Sequence, residues 1–252
     1  MNIRQCYLTE NACYKAGQRM TPRGVMVHST GANNPYLRRY VQPDDGILGE
    51  NANGNHFNVP YPGGRRACVH AFIGLTADGD IATYQTLPWD FRGWHAGGEA
   101  NDEYIGFEIC EDSLRSGDYF LRAYNEAVEL TAYLCELYGL DPAYPGVICH
   151  SEGHELGIAS NHSDVMHWFP LFGKTMDDFR ADVTARMEER MNPVYRTRDD
   201  IEAQADWGLE TFDKLINKKL IVGEDVQNGK PIYNISRDML RILTILDRAG
   251  KL

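Results

Sequence analysis

No stretch of this 252-residue chain stays apolar over the roughly 20 positions a membrane-spanning helix needs, so membrane insertion is not expected. The opening, MNIRQCYLTENACYKAG, has neither a basic start nor an apolar centre, so no secretory leader is expected. The chain is therefore expected to be made in the cytoplasm, and action elsewhere needs another export route. Cysteine is sparse. The six residues Cys6, Cys13, Cys68, Cys110, Cys135 and Cys149 form no CxxC pair, which argues against a redox motif or a structural zinc knuckle. Four of them, from Cys68 onward, lie in apolar segments and read as buried free thiols. Cytosolic synthesis argues against disulfides, leaving Cys6 and Cys13 to pair only outside the cell. A positive surplus is missing too: net charge is −11. Residues 191–252 hold ten basic and ten acidic side chains, so the whole imbalance sits in residues 1–190. Such a surface repels nucleic acid and anionic membranes, and neither is an expected partner.

Short apolar runs rich in β-branched and aromatic residues predict strands at 24–29 (GVMVHS), 68–75, 80–87, 105–110 (IGFEIC) and 146–150 (GVICH). TADGD at 76–80 reads as a hairpin turn. A helix is predicted over 118–139, with Leu121, Tyr124, Val128, Thr131 and Leu134 on one face and Gly139 as its stop. Another is predicted over 174–190, capped by Thr175 with Asp178 three residues on. Strands mixed with helices give an α/β domain, a central mixed sheet flanked by helices. Residues 1–190 read as this domain and the polar, proline-containing 191–199 as a linker. Two helical patterns, 200–220 and 236–252, make 200–252 a small helical appendage, marginal on its own at that size.

The chemistry-bearing residues gather at strand ends. A hydrolytic zinc site needs three protein ligands and one open position. His28 closes an apolar strand and so does His150, which makes them natural neighbours on one sheet edge. The third ligand must come from a nearby loop. The stretch 149–169, CHSEGHELGIASNHSDVMHWF, offers more candidates than one site can use. His154 lies four residues after His150, but Glu152 between them does not make the HExxH arrangement, and Gly153 breaks the helix that would align the rings. His154 is read as a loop residue. Glu108 is a lone carboxylate among Ile105, Phe107 and Ile109, and burying a charge there is costly enough to need a reason.

Taken in order, VMVHSTG, GFEICED, ICHSE and SDVMHWFP resemble the zinc-dependent N-acetylmuramoyl-L-alanine amidases of the amidase-2, peptidoglycan-recognition-protein-like family, in particular phage and prophage endolysins of Gram-positive bacteria. The resemblance covers roughly residues 20–190 and implies the fold of that family. It implies Zn2+ on His28, His150 and Asp164, although Val165-Met166 replace the proline and glycine that often follow the third ligand. It implies Glu108 as general base. The family's lysine, two residues before the third ligand, is replaced here by His162, which then carries the oxyanion role. Trp94 and His95 in RGWHAGG, together with His70 and His167, are expected substrate contacts, with packing the alternative for His70 and His167.

The activity implied is hydrolysis of the amide between N-acetylmuramic acid and L-alanine of the peptidoglycan stem peptide. A zinc peptidase acting on that peptide and a non-catalytic peptidoglycan receptor are the alternatives. A holin-type lesion would release the enzyme to the wall. The C-terminal appendage loosely resembles one surface-layer-homology unit and is read as a wall-binding element, a lid, or a helix pair that joins two chains as a homodimer.

Overall fold

The computed structural model describes residues 3–227 and 229–252. Met1 and Asn2, the first positions of the segment read as lacking a leader, and Asn228 lie outside it. The chain divides into two compact units, Met1–Arg186 and Met187–Leu252.

The first unit is built on a six-stranded mixed sheet. Its strands are β1 (Ile3–Gln5), β2 (Gly24–Asn33), β3 (Ala71–Leu75), β4 (Ile81–Gln85), β5 (Tyr104–Glu111) and β6 (Val147–Cys149), in the order β1-β4-β3-β5-β2-β6. Only β3 and β4 run antiparallel, joined by the predicted turn; every other pair is parallel. Parallel strands need long crossovers and cover on both faces, and the central strands are accordingly apolar throughout. Val25, Met26 and Val27, Phe72 and Ile73, and Phe107 and Ile109 are buried. Two elements carried no readable signal: β1, three residues with no periodic pattern, and the short helix α1 (Ala12–Ala16).

Helix α2 (Gly117–Tyr138) packs on β2, β3 and β4. Its buried face runs through Phe120, Tyr124, Val128, Thr131 and Leu134. Leu121, assigned to that face from the sequence, is 54% exposed. It lies one residue, about 100°, from Phe120, and the larger ring takes the core position. Helix α3 (His150–Glu155) begins directly at the end of β6. Gly153 does not break it. The glycine is buried inside the helix, where a Cβ would lie 2.7 Å from Met26 Cε, so it lets α3 approach β2 closely. Helix α4 (Met176–Met191) starts with the predicted reciprocal cap: Asp178 N–H donates to Thr175 Oγ1 (3.1 Å) and Thr175 N–H donates to Asp178 Oδ2 (2.9 Å).

In the second unit, β7 (Val194–Tyr195) pairs with β10 (Ile235–Ser236), and β8 (Asp225–Gln227) with β9 (Lys230–Ile232). The stretch 191–199, read as a linker, thus contributes a strand, and Tyr195 joins a core with Ile201, Ala205, Phe212, Ile235 and Leu240. The single helix expected over 200–220 is two, α5 (Arg198–Gln204) and α6 (Leu209–Asn217), because Ala205 leaves the helical region at φ −149°, ψ 45°. Helix α7 (Arg237–Arg248) is capped by Ser236, whose Oγ accepts from Met239 N–H. No helix among the described residues is long and apolar enough to cross a membrane.

Candidate metal and catalytic centre

The carboxyl ends of β2, β5 and β6 open into a cleft of about 610 Å³ lined by His28, Trp94, His95, Glu108, His150, His162, Asp164 and His167, among others. His28 and Glu108 are register partners across the β2–β5 ladder, so both side chains emerge on the same face. His150 is the first residue of α3, one position beyond β6. Asp164 opens a 3-10 turn, Asp164–His167, at φ 41°, a left-handed conformation that aspartate tolerates better than most residues. The aromatics that follow hold this turn in place. Trp168 is buried, stacks on Tyr119 (centroids 6.3 Å apart) and meets Phe120 edge-on (5.5 Å), while Phe169 packs against Tyr124.

His28 Nδ1, His150 Nδ1 and Asp164 Oδ2 converge. The carboxylate oxygen lies 3.0 and 2.9 Å from the two nitrogens, which are 3.2 Å from each other. In a tetrahedral site with donors about 2.1 Å from a central ion, the donor–donor edges are on the order of 3.4 Å. The observed triangle is close to one face of such a site, and two imidazole nitrogens with one carboxylate oxygen are a donor set suited to zinc. The hydrogen bonds behind the rings fix the proton positions this requires. His28 Nε2–H donates to His95 Nδ1 (3.0 Å), and His95 Nε2–H donates to the Tyr104 carbonyl (3.0 Å). That chain leaves the lone pair of His28 Nδ1 facing the centre. Burial lowers the pKa of His28 against the pull of Asp164, and lowers that of His95 well below the ordinary range, reinforced by His28 and His70. For Asp164 burial acts upward, but the neighbouring His28 and His150 outweigh it and hold the carboxyl low.

Glu108 Oε2 is buried and has no hydrogen-bond partner. Burial, then the charges of Asp164 and Glu111, raise its pKa well above the usual carboxylate range. An unpartnered carboxylate oxygen beside three convergent donors is the arrangement a general base requires. His162 is exposed at the cleft, its ring centroid 4.7 Å from that of His150.

The remaining expected contacts divide. Trp94 lines the cleft, with the Arg66 guanidinium 5.5 Å from its ring centroid. His95 lines it too, but both ring nitrogens are committed, to His28 and to the Tyr104 carbonyl, so it orients the His28 ring. Its ring fits only because position 106 is glycine: a Cβ there would fall 2.4 Å from His95 Nδ1. His70 is not a substrate contact. It is fully buried, accepts from Gly106 N–H at Nδ1 (3.0 Å) and donates from Nε2 to the Phe91 carbonyl (2.8 Å). His167 donates from Nε2 to Glu111 (3.1 Å) while still lining the cleft. His154 belongs to α3, not to a loop, and its Nδ1 lies 3.3 Å from the Ala159 carbonyl oxygen.

Four supporting residues were missed. Asn101 Oδ1 accepts from His95 N–H and Ala96 N–H (2.8 and 2.9 Å) and shapes the loop that carries His95. Glu152 accepts from Cys149 N–H and from both terminal nitrogens of Arg180, all at 3.0 Å, and so secures the start of α3 under His150. Glu111 accepts from Gly31 N–H (3.0 Å) besides His167. Ser160 Oγ touches His150 and His162. Of these only Glu111, a second acid in an apolar strand, left a signal in the sequence.

Comparison with known proteins places the geometry in a family. Residues 18–167 match the family model Amidase_2, N-acetylmuramoyl-L-alanine amidase. The chain is 31% identical over 127 residues to the N-acetylmuramoyl-L-alanine amidase XlyA of Bacillus subtilis (strain 168), a match covering 47% of this chain and 34% of XlyA. The match thus spans about a third of that relative's length. In fold the chain is similar to the Staphylococcus aureus hydrolase AmiA, solved with its ligand, with 21% identity, a TM-score of 0.54, and coverage of 76% of this chain and 85% of that one. It is also similar to PlyL, with 22% identity, a TM-score of 0.51, and coverage of 73% and 97%. The region matched by the family model takes in His28, Glu108, His150 and Asp164, and the chain belongs to the N-acetylmuramoyl-L-alanine amidase family.

Proposed function

We propose that this protein is a zinc-dependent peptidoglycan hydrolase that cleaves the amide between the lactyl group of N-acetylmuramic acid and L-alanine of the stem peptide. The observation that carries the reading is the convergence of His28 Nδ1, His150 Nδ1 and Asp164 Oδ2 beside the unpartnered Glu108 Oε2. Membership of the amidase family and the naming of XlyA as an N-acetylmuramoyl-L-alanine amidase support the bond assigned.

His28, His150 and Asp164 are the residues that would hold zinc. The chemistry a bound zinc supplies is acidification of a water and polarisation of the scissile carbonyl. Glu108 takes the proton of the attacking water at Oε2 and returns it to the departing amine of L-alanine, as one carboxyl serving first as base and then as acid. As the imidazolium, His162 stands at the cleft to stabilise charge on the former carbonyl oxygen. Trp94 and His167 form the walls against which the muramyl peptide lies. The cleft is open and holds both apolar and cationic side chains, which suits an elongated glycopeptide.

The second unit is read as a wall-binding element or as the contact between two copies. Met239, Ile242 and Ile245 form an exposed apolar row on α7, in support of a docking role. Action on the wall follows release of the folded protein through a lysis lesion. The enzymatic reading is tested by digesting purified bacterial walls with the full chain, with chelator, and with chelator followed by zinc. New L-alanine amino termini without new reducing sugars, abolished by chelator and restored by zinc, are expected. Wall binding without any cleavage would make the protein a receptor, and new termini within the stem peptide would make it a peptidase.

A further inference from the structure

Ser160 lies two residues before His162, is half-buried and belongs to no helix or strand. Its hydroxyl has three neighbours. Oγ donates to the Ala96 carbonyl (3.0 Å), and it lies 3.1 Å from His150 Nε2 and 3.1 Å from His162 Nδ1. The residue is held from the backbone side as well, since Ser160 N–H donates to the same Ala96 carbonyl at 2.8 Å. The loop opposite is close: a Cβ at Gly97 would fall 2.9 Å from the serine oxygen.

A hydroxyl carries one hydrogen and two lone pairs. With its hydrogen given to Ala96, Ser160 Oγ has only acceptor capacity left, and both imidazoles must donate to it. His150 therefore carries its proton on Nε2, which leaves the Nδ1 lone pair free for the triangle formed with His28 and Asp164. The neutral His162 carries its proton on Nδ1, the less common form of a free imidazole, and presents an unprotonated Nε2. We infer that Ser160 is a positioning residue whose single hydroxyl sets the proton placement and ring orientation of both His150 and His162, coupling the metal-binding edge of the cleft to its exposed catalytic histidine.

The inference rests on the reading of His150 as a metal ligand, but half of it is independent of metal. Two variants of the full chain test it, Ser160→Ala, which removes the hydroxyl, and Ser160→Thr, which keeps it. The first readout is the imidazole ¹⁵N spectrum of metal-free protein, which distinguishes Nδ1–H from Nε2–H rings. Wild type and Ser160→Thr are expected to show His162 as Nδ1–H. Ser160→Ala is expected to show it mostly as Nε2–H, with unchanged backbone amide shifts outside residues 94–98 and 148–164. The second readout is zinc affinity by competition with a chromophoric chelator, expected to fall about 10–100-fold in Ser160→Ala and to be kept within about threefold in Ser160→Thr. A wild-type His162 that is Nε2–H, or a Ser160→Ala protein with wild-type tautomers and zinc affinity, overturns the inference. Failure of wild type itself to bind zinc would instead overturn the metal reading, and the tautomer result would stand apart from it.

Discussion

His28 and Glu108 sit side by side on adjacent parallel strands, register partners whose side chains leave the sheet on the same face. One supplies a donor to the triangle formed with His150 and Asp164, the other an unpartnered carboxylate oxygen. Because the sheet ladder sets their spacing, a base that keeps its shape but loses its charge isolates the chemical role. Glu108→Gln is expected to lower turnover on wall fragments by about 10²–10⁴-fold while zinc content by elemental analysis stays at that of wild type. Activity within tenfold of wild type would remove Glu108 from the mechanism.

His162→Ala tests the exposed histidine separately. Its ring leaves the three donors intact, so zinc stoichiometry is expected to be unchanged. Turnover is expected to fall about 10²-fold, with little change in KM, as for loss of a group that acts only at the transition state. A proportional rise in KM at constant kcat would place His162 in ground-state binding.

His70 predicts an acid limb in stability. Burial holds its pKa at about 4, against about 6.5 in an unfolded chain. As pH falls through 6.5 the unfolded state takes up the proton first. The stability associated with neutral His70 is thus complete above about 6.5, is lost as pH drops toward 4 and changes no further below that. The loss is of order 3 kcal/mol. In chelator, denaturant unfolding of wild type at pH 7, 5.5 and 4 is expected to show this slope, and His70→Gln a shallower one from a lower starting stability. Equal slopes would show that His70 does not carry the effect.

Trp168→Ala is expected to cost roughly 3–5 kcal/mol, since the ring is buried against Tyr119 and Phe120. It also frees the turn that holds Asp164 at positive φ. Zinc affinity is therefore expected to drop along with the thermal midpoint, whereas a core truncation within the second unit, Ile201→Ala, is expected to leave zinc affinity unaltered. Equal zinc affinity in both variants would argue against the anchoring role.

Strands β2 to β6, the hairpin between β3 and β4 and the capped helix α4 were legible because each follows a local rule: a short apolar run, a turn segment, a reciprocal cap. His28 and His150 were legible because they end apolar runs. Glu108 stood out as a lone carboxylate in an apolar strand, but its role, like the choice of Asp164 and His162, needed the resemblance to a family. What escaped is relational. The roles of His95, Ser160, Asn101 and Glu152 consist of hydrogen bonds to residues brought near only by the fold, and the choice between packing and substrate contact for His70 stayed open because its two partners, Gly106 and Phe91, are 36 and 21 residues away. The same holds for Leu121, whose exposure is settled by which neighbour fills the core first.

The donors of the triangle lie 122 and 136 residues apart along the chain. They meet only when β2, β6 and the turn at 164–167 are all in place, so an unfolded chain offers the ion no comparable site. Under the zinc reading, ion binding then adds to folding stability by mass action, about 2.7 kcal/mol at a free concentration one hundred times the dissociation constant. Survival of the first unit against proteases would therefore track the zinc concentration of its surroundings, and the lifetime of the folded protein would be set by metal supply as much as by its own sequence.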